Sequence, residues 1–387
     1  QAFSALAAGG TIICTQYLGQ KNHEMANKSA RQALFIITAI SVFIVVLGLA
    51  FRAPLLSFIF GIVDADVMKN SMVYFFYTVL SYPFIALYDA GASIFRAQEN
   101  TRGPMVISII SNVMNIVGNG ILIWVFHMGV AGAAISTLVS RIFCAVVVLY
   151  QLRKDRQPIV VRDYLKIRPD GKMIGRILAL GIPSGIENSM FQLGKLAIQS
   201  TVSTLGTTAI AAQAMTNMLE MLNGTAVIGV GIGLMTVVGQ SLGAGKKDEA
   251  VYYMKKLMIF SEVFLIACCA VVYVLARPIT MIGGMEAKSA EMCLDMMFWI
   301  TIVKPIVWMF AFIPAYGMRA AGDVKFSMIT SCITMWTFRF CLCVYLIRVC
   351  GMGPMAVWIG MFTDWTVRAI VFGLRFKSGK WMEHKVV

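Results

Sequence analysis

The sequence predicts an all-α membrane protein made of two homologous six-helix bundles in parallel repeat, with about ten and a half of twelve transmembrane helices present in its 387 residues. Three observations carry that prediction. Hydrophobic residues make up 59% of the chain and charged residues 13%, with a mean hydropathy of +0.77, too little polar surface to cover a soluble globule. Gln16-Tyr17-Leu18-Gly19 returns as Gln240-Ser241-Leu242-Gly243, an offset of 224 residues. Basic residues alternate by loop rather than spreading evenly.

The offset extends beyond the motif. Ala26 pairs with Ala250, and Phe51-Arg52-Ala53-Pro54 with Leu275-Ala276-Arg277-Pro278. Arg96 and Arg102 match Arg319 and Lys325 at an offset of 223, and Gly129 and Gly353 each precede a run of small residues that starts a helix. A period this long marks a duplicated bundle rather than a solenoid.

Apolar stretches long enough to cross about 30 Å at about 1.5 Å per residue recur throughout. A partial one covers 1–17, followed by 32–60, 67–95, 104–126 and 130–152. The second set covers 173–205, 208–240, 250–276, 287–318, 324–347 and 354–376. All are expected to be helical, because a backbone facing lipid has to satisfy its own hydrogen bonds. The lobes are therefore 1–152 and 173–387, joined by a linker at 153–172 that carries Pro158, Pro169, Gly171 and seven basic residues. In the second copy 68 residues separate the linker from the motif, but only 15 precede the motif in the first. About 53 residues, the first helix and part of the second, are thus expected to be missing upstream. Six helices per lobe make the lobes run in the same direction, an arrangement that places a cavity between them and suits rocking transport.

The net charge of +14 raises nucleic acid as a partner, but its distribution excludes that. With the Gln-x-Leu-Gly side taken as cytoplasmic, that side holds 23 Lys and Arg, and the other holds four: Arg52, Arg277, Lys288 and Arg348. This is the positive-inside pattern of a multi-pass protein of the cell membrane. Nine cysteines, mostly within spans and without Cys-x-x-Cys or His partners, read as packing groups. The three histidines lie outside the spans, and neither His-Glu-x-x-His nor Gly-x-Ser-x-Gly occurs, so no enzyme is expected.

Several intramembrane residues stand out along the chain. Gln16 and Gly19, with Gln240 and Gly243, end spans at glycine turns expected to close the cytoplasmic mouth, the next helices restarting at Ala26 and Ala250. Asp89 lies near the cytoplasmic end of its span. Ser108, Asn112, Asn115 and Asn119 fall at i, i+4, i+7 and i+11, one stripe expected to avoid lipid and either to bond a neighbouring helix or to line a cavity. Asn188, Gln192, Lys195 and Gln199 repeat that spacing past Pro183, and Gln213, Asn217 and Glu220 follow it on the next helix. Lys195 and Glu220 differ in depth by roughly 5 Å, which a lysine stem spans, so they are expected to pair. Glu187 is the other acid placed to change protonation if buried. Arg339 and Asp364 are expected to pair between neighbouring helices. Lys304 stands beside Pro305.

These landmarks together resemble the multidrug and toxic compound extrusion (MATE) family, in the branch typified by DNA-damage-inducible protein F. The residues that carry the resemblance are the two Gln-x-Leu-Gly motifs with Ala26; Arg-Ala-Gln-Glu-Asn-Thr-Arg at 96–102; 115–119; 129–137; Gly-Ile-Pro-Ser-Gly at 181–185; 319–322; Trp336 with Arg339; and Phe-Lys-Ser-Gly-Lys-Trp at 376–381. The resemblance covers essentially the whole chain. It implies alternating access and export of amphipathic organic cations driven by inward H+ or Na+, with no other cofactor, and with a small-molecule substrate and membrane lipid as partners. It also implies a monomer. A family pattern of Asn, then Asp four residues on, then Thr eighteen beyond, falls on Asn115, Asn119 and Thr137, so the acid is replaced by Asn119. Glu187 and Glu220 become the candidates for coupling in the second lobe. The alternative function is a lipid-linked oligosaccharide or polysaccharide flippase of the same superfamily, which a surplus of Lys and Arg would favour.

Overall fold

A computed structural model describes all residues except Gln1, 61–63, 155–156, 163, 165–166 and Lys385, together with the side chains of all but Ala2 and 58–60 among the rest. Arg156 and Lys166 of the basic linker thus lie outside the described residues. The described chain divides into two compact units, Gln1–Ile182 and Pro183–Val387.

The first unit holds α1 (Ala2–Gly19), α2 (His23–Ala50), α3 (Arg52–Phe60), α4 (Ala65–Leu80), α5 (Tyr82–Ala97), α6 (Arg102–Gly120) and α7 (Gly129–Leu152). In it α1 packs on α5 and α2, and α7 packs on α5, α6 and α4. Helix α8 (Gly171–Val202) runs through the boundary. The second unit continues with α9 (Thr207–Gly243), α10 (Lys247–Ile282), α11 (Ala287–Ala320), α12 (Val324–Thr334), α13 (Leu342–Arg348) and α14 (Met355–Lys377). There α9 and α11 form the central pair, with α10 against both and α14 against α11. Two stretches, Ile121–Val125 and Met335–Cys341, are π-helical.

Nine helical spans among the described residues are long and apolar enough to cross a membrane, counting α4 with α5 and α12 with α13 as single spans. Helices α1 and α8 coincide with expected spans but are not among the nine. Thr11, Thr15, Gln16 and Tyr17 dilute the short α1, and α8 carries Lys172, Arg176, Glu187 and Lys195. Large apolar side chains such as Phe43, Ile116, Trp124 and Val274 stay exposed. That is costly in water and natural in lipid.

Two expected single helices are broken. The stretch 32–60 divides at Phe51, so that Pro54 sits in the first turn of α3, where its missing N–H goes unnoticed. The stretch 67–95 divides at Ser81, with Pro83 in the first turn of α5. The counterpart of Pro54, Pro278, stays inside the continuous α10, and α11 likewise runs unbroken through Pro305.

The repeat persists at the level of single hydrogen bonds. After α1, Gln20 N donates to Gln16 O, Lys21 N to Leu18 O and Asn22 N to Tyr17 O; after α9, Ala244 N donates to Gln240 O, Gly245 N to Leu242 O and Lys246 N to Ser241 O. Both are Schellman caps. The left-handed residue is Lys21 in one and Gly245 in the other, not the motif's Gly19 or Gly243, which end their helices. The following helices restart at His23 and Lys247, three residues before Ala26 and Ala250.

The later turns obey the same rule. Glu99 (φ 64°) corresponds to Gly322 (φ 89°), and His127 (φ 52°) to Gly351 (φ 66°). A side chain at a left-handed position costs about 1–2 kcal/mol. Glu99→Gly is therefore expected to raise the midpoint of detergent unfolding by an amount equivalent to about 1 kcal/mol. An unchanged or lowered midpoint would mean that Glu99 makes a compensating contact.

The described part of the linker is strapped to the first unit by amide side chains. Gln98 Oε1 accepts from Ile159 N (2.8 Å), Asn27 Oδ1 from Val160 N (2.8 Å) and Gln32 Oε1 from Asp170 N (3.1 Å). Ile159 and Val161 are fully buried. Asp170 caps α8 through Lys172 N and Met173 N and meets Lys28. The Lys28 hydrogen bond, then those backbone amides, hold its carboxyl below the usual carboxylate range. That support is present above the unfolded carboxylate pKa and fades as pH falls through the lowered value.

Candidate functional site

In the second unit, the face of α9 that carries Gln213, Glu220 and Asn223 meets α11. Lys304, one residue before Pro305, is fully buried there. Its ammonium donates to Glu220 Oε1 (2.5 Å), to the Glu220 carbonyl (3.1 Å) and to Asn223 Oδ1 (2.5 Å), and lies 5.0 Å from the centre of the Trp308 ring. Gln213 accepts from Trp358 Nε1 (3.1 Å) and donates to Asn217 at 3.5 Å. A charge alone at the bilayer centre costs about 2.5–3.5 kcal/mol on insertion scales, and three acceptors around one ammonium offset that cost.

The expected Lys195–Glu220 pair does not form. Depth along the membrane allows it, but the direction each helix faces does not. Packing of α11 on α9 brings Lys304 to Glu220, while Lys195 remains exposed on α8 with its ammonium 5.0 Å from the Phe191 ring centre. Among the described residues no carboxylate lies within ion-pair distance of Lys195.

A second group gathers Arg339, from the π-helical stretch, with Asp364 and Arg368 of α14. Arg368 Nε donates to Asp364 Oδ1 (2.7 Å), and its two other nitrogens donate to the Ser331 hydroxyl (3.1 Å) and carbonyl (3.0 Å). Arg339 approaches Asp364 Oδ2 only to 4.0 Å. The expected Arg339–Asp364 pair is therefore present but loose: Arg368, one turn away, takes Oδ1, and Oδ2 faces Arg339 beyond hydrogen-bond distance.

Glu187 is held by Arg319 Nη2 (2.8 Å) and faces the Ser327 hydroxyl (3.4 Å). Asn188 bonds the Ser184 carbonyl of its own helix, and Gln192 is half-buried. Gln199 and Asn217 are exposed. Glu262, which sequence reasoning did not single out, stands in the middle of α10. Its Oε2 is buried without a hydrogen-bond partner, and no cation among the described residues pairs with it. The signal that could have found it is a lone acid between Ser261 and Val263 in the span 250–276.

In the first unit, Asn115 Nδ2 donates to Thr137 Oγ1 (3.2 Å) and Asn119 Nδ2 to Asn115 Oδ1 (3.2 Å), which brings three expected residues together. Asn119 Oδ1 is buried without a partner. Asn112 is exposed and makes no interhelical bond among the described residues. Ser111 takes the interhelical place and donates to the Ser140 carbonyl (3.1 Å), because the close approach of Gly118 to Ser136 sets how α6 is turned on α7. Asp89 accepts from the Ser4 hydroxyl at 2.6 Å. Gln16 and Gln240 contribute their carbonyls to the helix caps above.

Two copies of one helical plan, with ion pairs held inside apolar spans, define a multi-pass membrane transporter. The chain belongs to the MatE family, whose model matches residues 2–121 and again 183–345. The two matches end 224 residues apart, the offset of the Gln-x-Leu-Gly motifs. The chain is 24% identical over 393 residues to the Thermotoga maritima protein described as "Probable multidrug resistance protein NorM", covering 99% of this chain and 82% of that one. It is 27% identical over 398 residues to the Bacillus subtilis "Uncharacterized transporter YisQ", covering 98% and 84%. Its fold matches the structure titled "Outward-facing conformation of a multidrug resistance MATE family transporter of the MOP superfamily" with a TM-score of 0.89 at 18% identity, over 99% of this chain and 85% of that one.

Proposed function

We propose that the protein is a secondary active antiporter of the cell membrane that exports amphipathic organic cations by alternating access in exchange for inward H+ or Na+. The observation that carries this reading is the Lys304–Glu220–Asn223 group. Its carboxylate lies within a span, has one ammonium as counterion and keeps 20% of its side chain exposed, so an entering proton or Na+ can replace Lys304 as its partner. Glu187 with Arg319 is a second exchangeable pair. Glu262 is a third carboxylate for the same role. Asn115, Asn119 and Thr137 supply a neutral polar lining in the first lobe. Multidrug resistance in the name of the Thermotoga relative supports export of drug-like compounds.

In reconstituted vesicles, a fluorescent organic cation should move under an imposed Na+ gradient or pH gradient. Glu220→Gln or Glu187→Gln should uncouple that movement from the gradient. Full coupling retained by both variants would remove these two acids from the mechanism. The cationic surplus of the second lobe favours one rival, a lipid-linked oligosaccharide flippase, and the absence of gradient-driven movement of any organic cation would shift the assignment to it.

A further inference from the structure

Within the spans of the second lobe, three cations gather around one ring. Lys195 lies 5.0 Å from the centre of the Phe191 ring, Arg339 4.9 Å and Arg368 6.0 Å. Asp364 is the carboxylate bonded within this group. Glu220, the next nearest, is already matched by Lys304. Four cations thus face two carboxylates.

The two arginines are not equivalent. Arg368 uses three nitrogens on three protein acceptors, as a structural arginine does. Arg339 has a side chain only 6% exposed, touches Asp364 only at 4.0 Å and makes no hydrogen bond among the described residues; its Nε is buried and unpartnered. A guanidinium with five donors, withdrawn from solvent and 4.0 Å from the one carboxylate oxygen that faces it, can take a nearer anionic oxygen arriving from elsewhere. Its place in a π-helical stretch agrees, since such turns often mark functional positions. Lys195 supplies the entrance. It is exposed on α8, has no carboxylate partner among the described residues, and shares the Phe191 ring with Arg339. The two cationic heads are therefore no more than about 10 Å apart.

We propose that Lys195 and Arg339 form a binding site for an anionic head group, a carboxylate or phosphate, whose apolar body lies against Phe191. This narrows the substrate of the exporter, on whose reading it rests, from a plain organic cation to an amphiphile that carries an anionic group as well as an amine. Lys195 meets the head first, and Arg339 offers it the hydrogen bonds that the protein leaves open. Arg368 and Asp364 hold the floor of the site without touching the ligand.

The test uses the full chain purified in detergent and two fluorescent probes that differ in one group: an aryl amine bearing a carboxylate, and its methyl ester. Fluorescence anisotropy should give a Kd at least tenfold lower for the acid. Lys195→Gln and Arg339→Gln should each bring the acid-to-ester ratio toward one, and Arg339→Lys should restore part of it. Because Lys195 is exposed, Lys195→Gln keeps the test decisive if Arg339→Gln does not fold. Equal affinity for acid and ester, or a preference unaltered in Lys195→Gln, overturns the site. Competition by a polyprenyl phosphate at lower concentration than by the small acid supports the site and identifies a lipid head group as its ligand. The exporter reading is measured separately. Gradient-driven flux of the ester without preference for the acid leaves the exporter and removes the site, whereas a preference for the acid without flux of either probe leaves the site and removes the exporter.

Discussion

Lys304→Met is expected to destabilise the protein by about 3–5 kcal/mol, the cost typical of leaving one member of a buried ion pair without its partner. The ammonium has no exposure and three acceptors; its loss strands Glu220 Oε1 and Asn223 Oδ1, while the Glu220 carbonyl keeps its bond within α9. Glu220→Gln should cost less. The position keeps 20% exposure, an amide oxygen still accepts from Lys304, and the ammonium retains Asn223. The double variant Lys304→Met with Glu220→Leu should recover most of the single loss, because it removes both charges and returns their desolvation cost. Unfolding midpoints in detergent for the two single variants and the double variant check this as a cycle. Lys304→Met as stable as the parent would show that Glu220 is not held as an ion.

The distance between what the sequence told and what it did not runs along one physical line. Features set by the chain's own periodicity were legible: the duplication and most of the spans. The duplication reaches to the backbone bonds after α1 and α9, since a helix cap is a local arrangement that a few residues dictate. Features set by how one helix is turned against another were not. Lys195 and Glu220 have compatible depths, and depth is all that residue counting measures. The orientation of α11, which assigns Lys304 to Glu220, depends on side chains far apart in sequence. The same blindness left Ser111, which bonds the Ser140 carbonyl on α7, out of the stripe. Prolines show the limit most plainly. Pro54 and Pro278 occupy equivalent positions, yet one begins a new helix and the other sits inside an unbroken one. Glu262 escaped notice because a run of apolar neighbours absorbs one acid in any averaged reading.

Asp364→Asn is expected to cost at least as much as Lys304→Met, at the upper end of about 3–5 kcal/mol, because one fully buried carboxylate serves two guanidinium groups. The losses should then separate by arginine. Arg368 keeps both of its bonds to Ser331, so Arg368→Gln added to Asp364→Asn gives up real hydrogen bonds and should not help. Arg339 has no such bonds to lose, and Arg339→Gln in the Asp364→Asn background should recover about 1–2 kcal/mol by removing a cation that nothing balances. Equal recovery from both arginines would mean that the 4.0 Å approach of Arg339 to Asp364 is as strong as the 2.7 Å bond of Arg368. A ligand that supplies the anion Arg339 lacks stabilises by mass action whatever state it binds more tightly. The carboxylate probe should therefore raise the unfolding midpoint of Asp364→Asn more than that of the parent, and its methyl ester should raise both less and by equal amounts, because only the acid replaces the charge that the substitution takes away.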